Sequence, residues 1–191
     1  MVKSARVLGE RLLNRGRFDL TKTDIEVVED DGTTRTLSHE AYRHGLAACV
    51  LLYDPDRSVV TLVRQFRTGA YLCDGRLWTV EVCAGMLDGD TPADCVVREA
   101  LEETGVEISA PRHVFDAFTS PGGMTEKIAC FVAPYGPASR RNGGGGVDDD
   151  EHIVVLELPF AEALAMIERG EIADAKTIAL LYYARTAGLM R

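Results

Sequence analysis

Polar and apolar residues alternate from Thr23 to Val28, the chain turns at Asp31-Gly32, and the alternation resumes, which predicts a β-hairpin. "LAACVLLYD" and "SVVTLVRQFR" are near-continuous apolar runs joined by a turn containing Pro55, and predict two strands. In "LWTVEVCAG", Thr79, Glu81 and Cys83 alternate with Val80, Val82 and Ala84, a further strand. Strands are also expected at "HVFDAFTS", "KIACFVAPY" and "HIVVLELP", and two closing helices at "FAEALAMIERG" and "DAKTIALLYYARTAG". The order is mixed rather than a regular βαβ alternation, so the fold class is α+β, built around a mixed sheet.

One helix has clear boundaries. Thr91 is its N-cap, Pro92 its first residue, Asp94 lies in its first turn and Gly105 ends it. The helical period gathers Ala93, Val96, Val97, Ala100, Leu101 and Thr104 on one face, the expected core side. Glu99 and Glu103 fall about 40° apart on its flank, with Glu102 turned further towards solvent. The C-terminal end of a helix carries partial negative charge and disfavours acids. Like charges three and four apart add to the cost. A bound cation would relieve both.

Composition narrows the partners. With 46% apolar and 27% charged residues in 191, the chain is ordinary globular protein. Its net charge of −9 argues against binding nucleic acid or an anionic membrane surface. An anionic substrate would therefore need a metal and local arginines to invert the field. Cys49, Cys73, Cys83, Cys95 and Cys130 are odd in number and lack a C-x-x-C pair, and read as core residues in a reducing cytoplasm. "MVKSARVLGERLLNRGRFDL" lacks the apolar block of a signal peptide, and the longest apolar run, Leu46–Tyr53, is too short to span a membrane. Residues 1–45 form a small strand-rich piece, expected to be a separate N-terminal β domain ahead of a main domain at 46–191. "RRNGGGGVDDDE" is low in complexity and by composition reads as a flexible connection. Its acids lack the spacing of an EF-hand calcium loop.

The segment Gly85–Val106, "GMLDGDTPADCVVREALEETGV", resembles the Nudix box, G-x5-E-x7-R-E-U-x-E-E-x-G-U with U aliphatic. Arg98, Glu99, Ala100, Glu102, Glu103, Gly105 and Val106 match its second half, and Gly85 its opening glycine. Twelve residues rather than thirteen separate Gly85 from Arg98, and Asp90 or Thr91 replaces the first Glu. "VRQFR", "TSPGGMTE", "GGGGVDDDE", "VLELPF" and "GEIADAKT" extend the resemblance to the branch of Nudix hydrolases acting on nucleoside diphosphate sugars and ADP-ribose.

That resemblance implies a Nudix α/β/α sandwich with a small antiparallel N-terminal β domain, in a homodimer with those domains exchanged. It implies dependence on Mg²⁺, with Mn²⁺ the alternative, held by Glu99, Glu103, Glu151 and the main-chain carbonyl of Ala84. Glu126 or Glu151 is the expected base, with Glu103 also catalytic, and Arg98 steadies a neighbouring Glu. Glu151 would ride on a mobile loop that closes over the substrate. Arg67, Gly85, Met86, Glu126, Asp150 and Lys176 are the expected substrate contacts, with Glu40 reaching across the dimer. Arg64 and Arg67 are placed on one strand, facing opposite sides, with Arg67 towards the pyrophosphate. His152, Arg17 and His39 depart from the residues of that branch. The implied reaction is hydrolysis of the pyrophosphate bond of a nucleoside diphosphate sugar, GDP-mannose to GMP and mannose 1-phosphate, with ADP-ribose as the alternative substrate. A non-catalytic sensor of nucleotide sugars is disfavoured because the helix keeps its carboxylates.

Overall fold

The computed structural model describes residues 1–146 and 152–190, which divide into two compact units, Met1–Leu46 with Phe118–Lys127, and Ala47–Ala117 with Ile128–Arg191. The first unit takes in the "TSPGGMTE" stretch, far along the chain from residues 1–45.

In the first unit, β1 (Val2–Arg15), β2 (Asp19–Glu29) and β3 (Thr34–Tyr42) form an antiparallel sheet in the order β1-β2-β3. The β2–β3 turn falls where the sequence predicts it. Gly32 takes a positive φ of 84°, and the Asp31 carboxylate accepts a hydrogen bond from the Thr33 amide at 2.9 Å. The long strand β1 escapes the pattern argument. All of its residues are exposed, so burial imposes no alternation on it, and its register with β2 shifts at three points.

The second unit contains β4 (Leu46–Asp54), β5 (Val59–Gln65), β6 (Thr79–Glu81), β7 (Cys83–Met86), β8 (Arg112–Phe118), β9 (Lys127–Pro134) and β10 (Val154–Pro159). Among the described residues these make one seven-stranded sheet, ordered β10-β5-β4-β9-β8, with β6 paired to β5 and β7 to β4. The apolar run of β4 follows from burial on both faces. Ala47, Cys49 and Leu51 join one core with Phe160 and Ala163 of α3 (Phe160–Glu168) and Leu180, Leu181 and Ala184 of α4 (Ala175–Thr186). Ala48, Val50 and Leu52 join the other, with Cys95, Val96 and Ala100 of α2 (Pro92–Thr104). Helices on both faces of this sheet make the α/β/α sandwich. No helix among the described residues is long and apolar enough to cross a membrane. Four of the five cysteines are buried thiols; Cys73 is exposed.

Two local expectations change. Strand β5 stops at Gln65, and Arg67 is the N-cap of a short helix, α1 (Thr68–Asp74), absent from the sequence reading. The alternation argument that set Arg64 and Arg67 on opposite faces of one strand therefore fails. Lys176 lies in the first turn of α4, within the helix expected over "DAKTIALLYYARTAG". In α2 the caps are as expected, with Thr91 accepting from the Asp94 amide and Gly105 in the left-handed region. Its buried face, however, is Cys95, Val96, Ala100, Glu103 and Thr104, while Ala93 and Leu101 are exposed. The helix is rolled towards the acidic flank, and Glu103 goes into the protein.

Candidate active site

Strand β7 runs against α2 and fixes two carboxylates. Glu103 is only 4% exposed, and its Oε2 accepts from the Ala84 amide at 3.2 Å. Burial pushes the Glu103 carboxyl up to about 7, and Glu99 nearby adds to this; the Cys83 thiol and the Ala84 amide pull the other way. Glu99 lies over Gly85 so closely that a Cβ on Gly85 would overlap its carboxylate. Any side chain at that position would displace the Glu99 carboxylate. Arg98 holds the outer side, with Nη1 2.9 Å from both Glu99 Oε1 and Glu102 Oε2, and Nε 3.1 Å from Asp90 Oδ2. Asp90 thus stands as an anchor for Arg98, and Thr91 as the cap of the helix. Met86, at the end of β7, accepts from the Cys95 thiol through its carbonyl at 3.3 Å.

A second cluster centres on Glu81, which is buried in β6 opposite Val63. Arg67 grips Glu81 with two hydrogen bonds, Nε to Oε1 at 2.9 Å and Nη2 to Oε2 at 3.1 Å. Lys176 Nζ reaches Glu81 Oε2 at 2.7 Å and Asp174 Oδ1 at 2.9 Å. Thr79 donates to Glu81 Oε1 at 2.7 Å. Although burial opposes ionisation, these partners prevail and hold the Glu81 carboxyl down at about 2. Arg67 also feels the field of Glu103, which ties this cluster to the α2 carboxylates. The sequence reading passes over Glu81. Its signal is an acid between Val80 and Val82, on the same strand face as Thr79 and Cys83, where solvation alone would not put a charge.

The structure thus gathers Ala84, Gly85, Met86, Glu99, Glu103, Arg67 and Lys176 on the second unit. Arg64 stacks its guanidinium 5.5 Å from the Trp78 ring centroid. Glu126 belongs to the first unit, where its Oε1 is 3.0 Å from His44 Nδ1. Glu40 is exposed on β3 of that unit. Asp150 and Glu151 lie outside the described residues. No group of three or more His, Cys, Asp or Glu side chains that would hold a metal occurs among the described residues.

A family model described as the NUDIX domain matches residues 43–181, the β7–α2 loop–helix included. The chain belongs to the Nudix family. It is a Nudix hydrolase by that match and by its full-length relatives. It is 44% identical over 187 residues, 96% of this chain and 93% of the other, to a protein of Klebsiella pneumoniae named GDP-mannose pyrophosphatase. A protein of the same name from Cronobacter sakazakii is 42% identical, with both chains covered completely. In fold the chain is similar to a crystal structure of an ADP compounds hydrolase, with a TM-score of 0.74 at 18% identity, covering 97% of this chain and 95% of that one.

The donor set of this Nudix site fits a hard divalent cation. Two carboxylates four residues apart on one helix meet main-chain groups across a glycine, and one of them is held out of water beside its like-charged neighbour. A carboxylate in that setting is destabilised when ionised, and a cation supplies the missing partner.

Proposed function

We propose that this chain hydrolyses the pyrophosphate bond of a nucleoside diphosphate sugar in a divalent-cation-dependent reaction, with GDP-mannose giving GMP and mannose 1-phosphate. The observation that carries this reading is the buried Glu103, paired with Glu99 over Ala84-Gly85, beside the Arg67–Glu81–Lys176 cluster. The two full-length relatives named GDP-mannose pyrophosphatase support the choice of sugar nucleotide.

Glu99, Glu103 and Glu151, with the Ala84 carbonyl, would hold Mg²⁺ or Mn²⁺. When bound, such an ion polarises phosphate oxygens and lowers the pKa of water. The remaining work falls to the side chains. Arg67 and Lys176 bring two positive charges that Glu81 keeps fixed and ionised; both are suited to the diphosphate oxygens. Glu126 or Glu151 accepts the proton of the attacking water. Gly85 and Met86 line the approach of the substrate, with Asp150 beside Glu151 and Glu40 as further contacts.

A homodimer with exchanged N-terminal domains is part of this proposal. It is supported by β1, an edge strand exposing Val2, Val7, Leu8 and Leu12. A cytoplasmic location is supported by the five free thiols.

The test is incubation of the pure protein with Mg²⁺ and, separately, GDP-mannose, ADP-ribose and other nucleotide sugars, with products resolved by chromatography. Preferential release of GMP from GDP-mannose is expected. Preference for ADP-ribose would overturn the substrate, and full activity of Glu103→Gln at saturating Mg²⁺ would overturn the metal site. Failure to cleave any of them would favour a binding module.

A further inference from the structure

The glycine-rich segment reads as a loose connection, but its residues 140–146 are bound to the end of the helix that carries Glu99 and Glu103. The last carbonyls of an α-helix lack partners within the helix. In α2, those of Ala100 and Leu101 accept from the Gly105 cap. The next four are all taken by one stretch of chain. Gly146 N donates to Glu102 O at 3.2 Å, Gly145 N to Glu103 O at 2.9 Å, Arg140 Nη1 to Thr104 O at 3.0 Å and Arg141 N to Gly105 O at 2.8 Å. Arg140 also sets a positive charge at the negative end of the helix, and reaches Glu157 Oε2 with its other nitrogen at 3.3 Å.

This docking depends on glycine. Gly144 and Gly145 have φ of 69° and 120°, and a Cβ on Gly144 would overlap the Glu103 carbonyl. At Gly145 a Cβ would meet only Ile153 O, at 3.9 Å, so strain there is conformational. At Gly143 there is neither strain nor a neighbour within 4 Å.

We infer that residues 140–146 are a positioning strap. By holding the Glu103 main chain on both its carbonyl side and its flanks, the strap sets where the Glu103 carboxylate stands relative to Glu99. Gly144 and Gly145 are its positioning residues. The inference rests on the proposed cation site of Glu99 and Glu103, and adds to it residues that touch neither cation nor substrate.

The experiment is Mn²⁺ binding to the full chain, followed by electron paramagnetic resonance without substrate, on the parent and on Gly143→Ala, Gly144→Ala, Gly145→Ala, Glu103→Gln and Phe160→Leu. Gly143→Ala is expected to bind as the parent does. Gly144→Ala and Gly145→Ala are expected to weaken Mn²⁺ by about tenfold, the size of effect seen when supports of metal ligands are lost, and to change the spectrum of the bound ion. Phe160→Leu, a core truncation in α3, lowers thermal stability and is expected to leave Mn²⁺ affinity intact. Should Gly144→Ala fail to fold, Gly145→Ala decides, since its methyl meets no close neighbour. Parental affinity and spectrum in the Gly145→Ala protein would overturn the strap, as would equal weakening in Phe160→Leu. No Mn²⁺ binding by the parent, or parental binding by Glu103→Gln, would overturn the cation site itself, and the strap's role with it.

Discussion

Replacing Glu81 by Gln removes the charge from a buried carboxylate that Arg67 and Lys176 both grip, while keeping its shape. The drop of its pKa from 4.5 to about 2 corresponds to about 3 kcal/mol of preference for the ionised form in the folded protein. The Arg67 side chain is 47% exposed and screened by solvent, whereas Lys176 is 15% exposed. We therefore expect about 2 kcal/mol to be lost in Glu81→Gln at neutral pH. A carboxylate whose folded pKa is depressed contributes its full stability above its unfolded pKa, and loses it as pH falls through the folded value. The loss should accordingly be constant above about pH 4.5, shrink below it, and vanish near pH 2. Urea unfolding of parent and variant, followed by circular dichroism in chelator from pH 2.5 to 8, reads this difference directly. An offset that stays constant across that range, or no offset at pH 7, would refute the assignment of the stabilisation to an ionised Glu81.

Other substitutions probe the remaining parts of the site and its scaffold. Gly85→Ala pushes the Glu99 carboxylate off the β7 main chain; Mn²⁺ affinity should fall on the order of 10- to 100-fold while the far-ultraviolet spectrum is kept. Thr91→Ala deletes the acceptor of the Asp94 amide at 3.2 Å, and should cost about 1 kcal/mol, or roughly 2–4 °C in a thermal melt. Tyr135→Phe removes a hydroxyl that accepts from the fully buried Thr61 Oγ1 at 2.7 Å and donates to Glu157 at 2.8 Å. It should cost about 1–3 kcal/mol in denaturant unfolding. Unaltered stability would show that water replaces the hydroxyl.

The sequence alone determined the features that follow from local rules. The boundaries of α2 are written in Thr91, Pro92, Asp94 and Gly105, because caps and proline act within one turn. The β2–β3 hairpin is legible for the same reason, and β4 is legible because burial on both faces leaves no polar position from Ala47 to Leu52. The clash between Glu99 and Glu103 and the negative end of their helix is equally readable, and it points to a cation before any coordinates do. Tertiary structure decided the rest. Which face of α2 is buried depends on what packs against it, so periodicity placed Leu101 inward while the fold exposes it and buries Glu103. Strand β1 has no buried face to pattern its residues, and α1 is too short and too exposed to show a period. The Glu81 cluster joins β6, the start of α1 and the first turn of α4, and the strap joins residues 140–146 to the end of α2. Both are made of residues far apart in the chain whose partners only folding supplies, because charge pairing and carbonyl capping depend on proximity in space.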